Sequence, residues 1–362
     1  MRNSHPALSA DITVPASGWF GAEIAGVHDW IHELTDEERE ELRRALAIAQ
    51  KMSRPQHDLT PEDFPLPVMG RRLAAVVSSL ETGRGFALLR GLPVEDLSED
   101  QARLMAWGVG LHVGVALPQN ANGALIHDVR DRGESSATTL RGNGSTEEIA
   151  YHVDPCDVVA LFCRRVAAAG GESFLCSSRA IHDTIRSRRP DLLDLLYQPF
   201  HFAELGSGGV YACPIFGCAD GFFTSHYYKA RILKAATMPN VPRLTEAQLE
   251  AIDLIQKLAS DPKYHIAMKL KVGDLQLVNN HVVYHRRSSY DDHSDPDMKR
   301  HLFRLWFAVP GSRPLDSAFG GFWNQTAAST VRGGAQRWNR IVDHVTGYQR
   351  RLAQIHGLSF DA

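Results

Sequence analysis

The sequence predicts a mainly β, α+β fold in which an antiparallel β-sandwich or barrel carries flanking helices on its outside. Helices do not separate the strand-like segments at a steady interval of roughly 30 residues, which argues against a doubly wound parallel sheet. The 362 residues contain no internal repeat or low-complexity linker, so we expect one domain. The strand-like segments are short, rich in β-branched or aromatic residues, and bounded by Gly, Pro, Asp or Asn: 85–90, 158–163, 173–176, 210–215, 222–228, 264–270, 275–278 and 302–309.

Capping boxes mark the start of several predicted helices. Thr35, Ser98 and Thr245 are each followed three residues later by Glu or Gln, and they predict helices that run through residues 50, 108 and 259. Pro190 predicts a shorter helix through residue 197, because proline favours the first helical position. A final helix is expected over residues 335–352.

These elements divide the single domain into three parts. An N-terminal helical layer is expected over residues 1–82, a β core with one long helical insertion over 83–314, and a C-terminal extension over 315–362. Gly273 and Asp274, which follow one predicted strand and precede another, predict a tight turn that joins two strands of the core.

Composition and charge exclude several classes of protein. Asp and Glu number 42 against 39 Lys and Arg, for a net charge of −3, and no basic stripe is present, so we expect no nucleic-acid partner. The chain has no signal peptide and no apolar run approaching about 18 residues, which predicts a cytoplasmic protein with no membrane partner. Its 5 cysteines lack CxxC spacing, whereas its 17 histidines offer many neutral ligands for a metal.

A first candidate motif places an imidazole and a carboxylate two residues apart, at His152 and Asp154. On an extended strand such side chains share one face, about 6–7 Å apart, and both could reach one ion. A single pair of this kind arises easily by chance. Asp157 would lie on the opposite face, so we do not count it as a ligand.

A second imidazole follows 133 residues later at His285, just beyond the strand after the Gly273 turn. Two imidazoles and one carboxylate form the facial triad that leaves positions open on non-haem Fe(II). Zinc accepts the same ligands, so the triad alone is compatible with an oxygenase or a hydrolase. His281 lies four residues earlier and is expected to point outward.

Arg300 and Arg304 lie in an apolar segment and, at i and i+4 on a strand, would share a face. A buried arginine costs several kcal/mol unless it meets an anion. If the pair faces the interior rather than a solvated face, it predicts a bound carboxylate or similar ligand. Arg304 would then favour an anionic or amino-acid-like substrate.

Together these motifs resemble the taurine dioxygenase / clavaminate synthase-like family of Fe(II)- and 2-oxoglutarate-dependent oxygenases. The resemblance covers roughly residues 83–314 and rests on the order and spacing of several elements rather than on any one of them. These elements are His152-x-Asp154, Gly170-Gly171-Glu172-Ser173, Gly273-Asp274, the segment from Asn280 to His285-Arg286-Arg287, and Arg300.

The resemblance implies a double-stranded β-helix (jelly-roll) core with His152, Asp154 and His285 as iron ligands. It implies that Arg300 binds the distal carboxylate of 2-oxoglutarate through a bidentate pair. Ser173 stands where many members have Thr, and it retains a hydroxyl donor to the same carboxylate.

For the substrate, the resemblance implies that Arg304 meets the substrate or steadies the cosubstrate, and that Gln119 and Asn120 lie in a region that lines the substrate pocket. The expected activity is hydroxylation of a small, anionic or amino-acid-like substrate with Fe(II), 2-oxoglutarate and O2, releasing succinate and CO2. Desaturation or ring formation is the alternative outcome of the same chemistry. The alternative is a metal-binding jelly-roll hydrolase or sensor without oxidative turnover, which would have no need of a dicarboxylate clamp. Homo-oligomer formation is left open.

Overall fold

The computed structural model describes residues 18–134, 144–204, 208–335 and 343–361. Within these residues the larger of two main sheets has seven strands. The strands are β1 (Ile31–Glu33), β2 (Phe86–Arg90), β3 (Val115–Ala116), β4 (Ile126–Val129), β6 (Val158–Arg165), β14 (Leu275–Asn279) and β17 (His301–Ala308). They lie in the order β1-β2-β14-β6-β17-β3, and β4 also pairs with β17. All these pairs are antiparallel except β1 with β2.

The smaller sheet is antiparallel and carries much of the predicted chemistry. Its strands are β5 (Ile149–His152), β8 (Ser173–Ser177), β13 (His265–Met268) and β15 (Val283–Arg287). They lie in the order β13-β8-β15-β5. The register places His285 of β15 directly opposite His152 at the end of β5, while Ser173 begins β8 and pairs with Arg287.

Three two-stranded ribbons complete the β structure. They are β7 (Ala169–Gly170) with β16 (Tyr290–Asp291), β9 (Phe200–Ala203) with β10 (Val210–Cys213), and β11 (Phe216–Ala219) with β12 (Phe222–Ser225). The last two lie in the predicted insertion between β8 and β13, which therefore contains strands as well as helices. Every predicted strand segment overlaps an observed strand, and the predicted antiparallel character is confirmed apart from β1.

The helices lie mainly in the N-terminal part, the insertion and the C-terminal part. They are α1 (Gly21–Ile24), α2 (Asp36–Ala49), α3 (Met69–Thr82), α4 (Glu99–Gly110), α5 (Ser178–Arg188), α6 (Pro190–Leu196), α7 (Lys229–Ala235), α8 (Glu246–Ser260), α9 (Gly320–Trp323) and α10 (Asp343–His356). Within the described residues, no helix is both long and apolar enough to cross a membrane.

The predicted helix starts are confirmed by their caps. Thr35, Ser98 and Thr245 each accept a hydrogen bond from the backbone three residues on and complete a capping box, so α2, α4 and α8 begin one residue later. The sequence reading missed α3, whose N-cap Val68 offers no side-chain acceptor. Of the predicted helix over 335–352, residues 336–342 lie outside the described residues, and α10 extends four residues beyond the predicted end.

The predicted turn at Gly273 joins strands of opposite sheets, because β13 belongs to the smaller sheet and β14 to the larger. Gly273 has φ +81°, and a Cβ atom there would stand 2.3 Å from the carbonyl oxygen of Leu92. Glycine is therefore required by both conformation and space. Asp274 is fully buried and receives two hydrogen bonds of 2.9 Å from Arg90, which fixes the turn against β2.

Candidate metal centre

The first two predicted ligands lie where β5 ends. His152 is the last residue of the strand, and Asp154 follows in the loop. The loop is held by its backbone: the Val153 amide donates to the carbonyl of Tyr227 at 3.0 Å, and the Asp154 amide donates to Oδ1 of Asn280 at 3.0 Å. Asn280 thus aims the Asp154 carboxylate without touching its oxygens.

The third predicted ligand faces the first two. The imidazole centroids of His152 and His285 lie 4.4 Å apart, and Nε2 of His285 lies 3.7 Å from Oδ2 of Asp154. Each of the three residues offers a ligand atom, and these atoms lie within 4.8 Å of one another. The structure therefore brings together all three residues that the sequence predicted as a triad.

The protonation states suit a divalent cation. His152 donates its Nδ1 hydrogen to the carbonyl of Ala150 at 2.9 Å, so a neutral ring presents Nε2 as a lone pair. Burial lowers the pKa of His152, and burial together with the charge of His152 lowers the pKa of His285 to about 3. Burial opposes ionisation of Asp154, but the charges of Arg304 and the two histidines hold its pKa at about 2.

The described residues give Oδ2 of Asp154 no hydrogen-bond donor, although the atom is buried. At neutral pH the triad thus consists of two neutral imidazoles and one carboxylate, which is the state that metal binding requires. These residues fit an Fe(II) ion with open coordination positions.

A cavity of about 580 Å³ adjoins the triad. It is lined by polar residues from both sheets and by apolar side chains that include Val159, Leu161, Leu270 and Leu302. The predicted residues among the lining are His152, Asp154, Ser173, His285, Arg300 and Arg304. The cavity therefore joins the triad to the predicted dicarboxylate clamp.

Arg300 is buried with part of its guanidinium unsatisfied. It is 6% exposed, its Nη1 has no hydrogen-bond partner in the described structure, and the guanidinium lies 5.0 Å from the ring of Tyr290. Burial lowers the pKa of Arg300. Ser173 exchanges hydrogen bonds with the Gln276 amide at 3.0 and 3.1 Å. Arg300 and Ser173 both line the cavity and present a guanidinium and a hydroxyl to it.

Arg304 lies closer to the triad than Arg300 does. Its Nη1 is 3.6 Å from Oδ2 of Asp154, and its Nε donates to Oε1 of Gln119 at 2.8 Å. Gln119 is fully buried, donates back to the carbonyl of Arg304 and does not line the cavity. Asn120 accepts from the amides of Asn122 and Ala124 and shapes a turn beside it. Gln119 is therefore placed to orient Arg304.

Sequence reasoning missed the contribution of Arg287 to the cavity. Its side chain is buried, and one guanidinium nitrogen donates to the carbonyls of Ser145 and Glu147. Burial and the charge of Arg300 lower the pKa of Arg287 to about 10. The signal was available, because Arg287 lies two residues after His285 on the same strand and so on the same face.

The expectation that His281 points outward is wrong. His281 is fully buried, and its Nε2 lies 2.8 Å from Oδ1 of Asp157. Asp157 also accepts from Nε of Arg332 at 2.9 Å. His281 instead belongs to a second buried hydrogen-bond network, which connects the segment after Asp154 to the segment before His285.

Arg332, Gly334 and Ala335 form what we call the C-terminal clasp. The amide of Gly334 donates to the carbonyl of Pro155 at 2.6 Å, and that of Ala335 donates to the carbonyl of Pro118 at 2.7 Å. With the bond from Arg332 to Asp157, the clasp holds the loop that begins at Asp154. No local sequence signal connects these residues, since Arg332 and Asp157 are 175 positions apart.

A second histidine–carboxylate group consists of Glu99, Asp128 and His301. Here Arg103 donates to Oδ1 of Asp128, and Arg130 lies 3.2 Å from Oε2 of Glu99. Cations of the protein already occupy these carboxylates, so the group serves as an ion-pair network between α4 and the large sheet.

Comparison with known proteins agrees with this geometry. The profile of the taurine catabolism dioxygenase TauD, TfdA family matches residues 52–306. FR-33289 synthase from Streptomyces rubellomurinus is 32% identical over 323 residues, which cover 86% of this chain and 95% of that protein. The taurine hydroxylase-like protein SAT17 from Stachybotrys chartarum is 25% identical over 325 residues and covers 83% of each protein.

A crystal structure of asparagine oxygenase in complex with Fe(II), 2S,3S-3-hydroxyasparagine and succinate has a TM-score of 0.62 to this chain at 18% identity. The match covers 77% of this chain and 93% of that one, and it confirms the predicted jelly-roll core. The family predicted from the motifs is confirmed as well. The chain belongs to the TauD/TfdA family and is a non-haem iron dioxygenase that uses Fe(II), 2-oxoglutarate and O2.

Proposed function

We propose that His152, Asp154 and His285 bind the Fe(II) ion. The observation that carries this proposal is the convergence of their ligand atoms within 4.8 Å around a buried carboxylate oxygen that accepts no hydrogen bond from the described residues. The hydrogen bond from His152 to Ala150 and the backbone bond from Asp154 to Asn280 hold two ligands in place before metal arrives. Such outer contacts orient ligands and raise metal affinity.

Arg300 and Ser173 are proposed to bind the distal carboxylate of 2-oxoglutarate. The unsatisfied Nη1 of Arg300 supports this assignment, because a buried guanidinium gains most from an anion that forms a bidentate pair. Leu161 and Leu302 line the same cavity and would exclude water from the keto acid. Gln276 holds the Ser173 hydroxyl in position until the carboxylate binds.

The proposed reaction is hydroxylation of a small substrate that is anionic or amino-acid-like. Bound iron would use O2 and 2-oxoglutarate to oxidise a substrate C–H bond, and the 2-oxoglutarate would be released as succinate and CO2. Arg304, held by Gln119 and 3.6 Å from Asp154, provides positive charge next to the triad. The names of the relatives refer to taurine and to asparagine, which agree with a small, charged or zwitterionic substrate.

The first test is spectroscopic. Fe(II) and 2-oxoglutarate added without oxygen should give a weak visible charge-transfer band, and His285→Ala should abolish it. His28→Ala, which removes an exposed histidine, serves as the matched control and should keep the band. Absence of the band from the unmodified protein, with tight Zn(II) binding instead, would contradict the iron site.

The second test concerns the substrate. Small carboxylates, amino acids and sulfonates would be screened for compounds that stimulate succinate release. An anionic or zwitterionic hit would support the proposed class, whereas stimulation only by neutral compounds would exclude it.

The location, domain organisation and partners of the enzyme are proposed from the net charge and the pattern of apolar residues in the sequence. We propose a cytoplasmic enzyme built as one domain, with a small-molecule substrate and no nucleic-acid or membrane partner. Light scattering of the purified protein would determine whether it forms a homo-oligomer.

A further inference from the structure

Buried arginines in this protein fall into two groups. Some are neutralised by a carboxylate within hydrogen-bond distance, namely Arg179 by Asp183, Arg313 by Glu81 and Arg332 by Asp157. Among the residues that the structure describes, three other buried arginines have no such carboxylate: Arg231, Arg287 and Arg300. Arg287 and Arg300 line the cavity beside the triad. Arg231 does not line it and needs a separate explanation.

Arg231 lies in α7 of the insertion and is 7% exposed. Its Nε is buried, and no described residue accepts a hydrogen bond from its guanidinium or forms an ion pair with it. The guanidinium lies 4.8 Å from the ring centroid of Tyr228. A cation–π contact offsets only part of the cost of removing a guanidinium from water. Arg231 is thus a largely buried residue whose guanidinium has no carboxylate partner among the described residues.

Arg231 is connected to the triad through one aromatic ring. The ring of Tyr228 lies 4.9 Å from the ring of His152, and the backbones of these residues form a β-bridge. The preceding residue, Tyr227, accepts the amide hydrogen of Val153. Arg231 therefore stands beside the metal centre, on the side formed by the insertion.

We propose that Arg231 binds an oxyanion carried by the prime substrate, as a carboxylate, sulfonate or phosphonate group. 2-Oxoglutarate does not account for this position, because its carboxylate is assigned to Arg300 inside the cavity, whose lining excludes Arg231. An anion paired with Arg231 would lie next to Tyr228, so it would hold the substrate close to His152. This inference rests on the proposed iron and 2-oxoglutarate sites and narrows the substrate class.

The test is binding of simple anions to the protein loaded with Mn(II) and 2-oxoglutarate, which fills the clamp at Arg300. The probes are acetate, methanesulfonate and methylphosphonate, with acetamide as the neutral comparison, and calorimetry measures their affinity. We expect at least one anion to bind, and the preferred anion distinguishes the three oxyanion groups. Binding should be at least about tenfold weaker in Arg231→Met.

Lys234→Met is the matched control, because Lys234 lies on the same helix, carries the same charge and is exposed. It should keep the anion affinity. Melting temperature gives a second readout: without anion, Arg231→Met should melt no lower than the unmodified protein, since the variant removes an unpaired buried charge. Arg231→Lys should retain part of the anion affinity, because it keeps a cation at the position.

Equal anion affinity in Arg231→Met and the unmodified protein would overturn the proposal, as would the absence of binding by every anion. If Arg231→Met does not fold while Arg231→Lys folds with unchanged affinity, the residue is structural and the proposal also fails. The anaerobic Fe(II) band distinguishes failure of the Arg231 proposal from failure of the proposed iron and 2-oxoglutarate sites. A normal band without anion binding rejects only the role of Arg231.

Discussion

The C-terminal clasp and the metal centre both contain buried arginines, but they differ in what neutralises the charge. Arg332 of the clasp is 1% exposed and donates to the carboxylate of Asp157. Arg300 is 6% exposed, lies against the ring of Tyr290 and lines the cavity. The Arg332 charge is thus neutralised within the fold, whereas no carboxylate of the described residues neutralises Arg300.

The largest effect is expected at the clasp. Arg332→Ala leaves the buried Asp157 carboxylate without a cation and with only the His281 ring and the Val309 amide as partners among the described residues. This change should lower the free energy of unfolding by about 3–5 kcal/mol. Urea denaturation measures this change. Arg350→Ala, which removes an exposed arginine from α10, is the control and should have little effect. A loss no larger than that of the control would show that the clasp does not stabilise the fold.

At the metal centre, Arg300→Ala should weaken 2-oxoglutarate binding by about 2–5 kcal/mol, because the distal carboxylate loses its partner. The free energy of unfolding should not fall, since no carboxylate of the protein depends on Arg300. Titration of the charge-transfer band with 2-oxoglutarate measures the affinity, and Lys299→Ala at the exposed neighbouring position is the control. Unchanged affinity would place the clamp elsewhere.

A smaller effect on the substrate KM is expected for Gln119, the neutral side chain that orients Arg304. Gln119→Leu removes the bond to Nε of Arg304, and the substrate KM should rise by about tenfold, the value of one hydrogen bond to a charged group. Affinity for 2-oxoglutarate should stay constant. Asn122→Ala, an exposed change in the adjacent turn, provides the comparison. An equal loss of 2-oxoglutarate affinity would assign Arg304 to the cosubstrate.

The smallest effect concerns the half-exposed network at Asp128. Although burial opposes it, hydrogen bonds from His301 and Arg103 hold the pKa of Asp128 below its ordinary value. A lowered carboxyl pKa stabilises the fold above the ordinary value of about 3.9, and that stabilisation is lost as the pH falls further. Asp128→Asn should therefore cost about 1 kcal/mol at pH 7 and less at pH 3. A pH-independent difference would contradict this account.

Much of the triad could be predicted because local patterns specify it. Capping boxes located α2, α4 and α8, and the order of His152, Asp154 and His285 along the chain indicated a shared site before any contact was known. The strands β5 and β15 were not predicted, because the polar ligands and arginines at their ends interrupt the β-branched pattern that marks other strands.

Contacts between distant parts of the chain could not be predicted. Arg231 shows no distinguishing pattern in the sequence, and only the fold, which places the Tyr228 end of α7 against His152, shows that its side chain is buried. Likewise, no pattern in the sequence connects Arg332 with Asp157. Burial and pairing of a charge depend on which segments the fold brings together, and a single amino-acid sequence carries no signal for that.

The clasp also sets an order of events while the chain is made. At translation rates of about 5–20 residues per second, the ribosome adds Arg332 roughly 9 to 35 s after Asp157, which lies 175 positions earlier. Throughout that interval the loop after Asp154 lacks the contacts from Arg332 and Gly334 that hold it. The loop that carries Asp154 therefore gains these contacts only after Arg332 and Gly334 have been added to the chain.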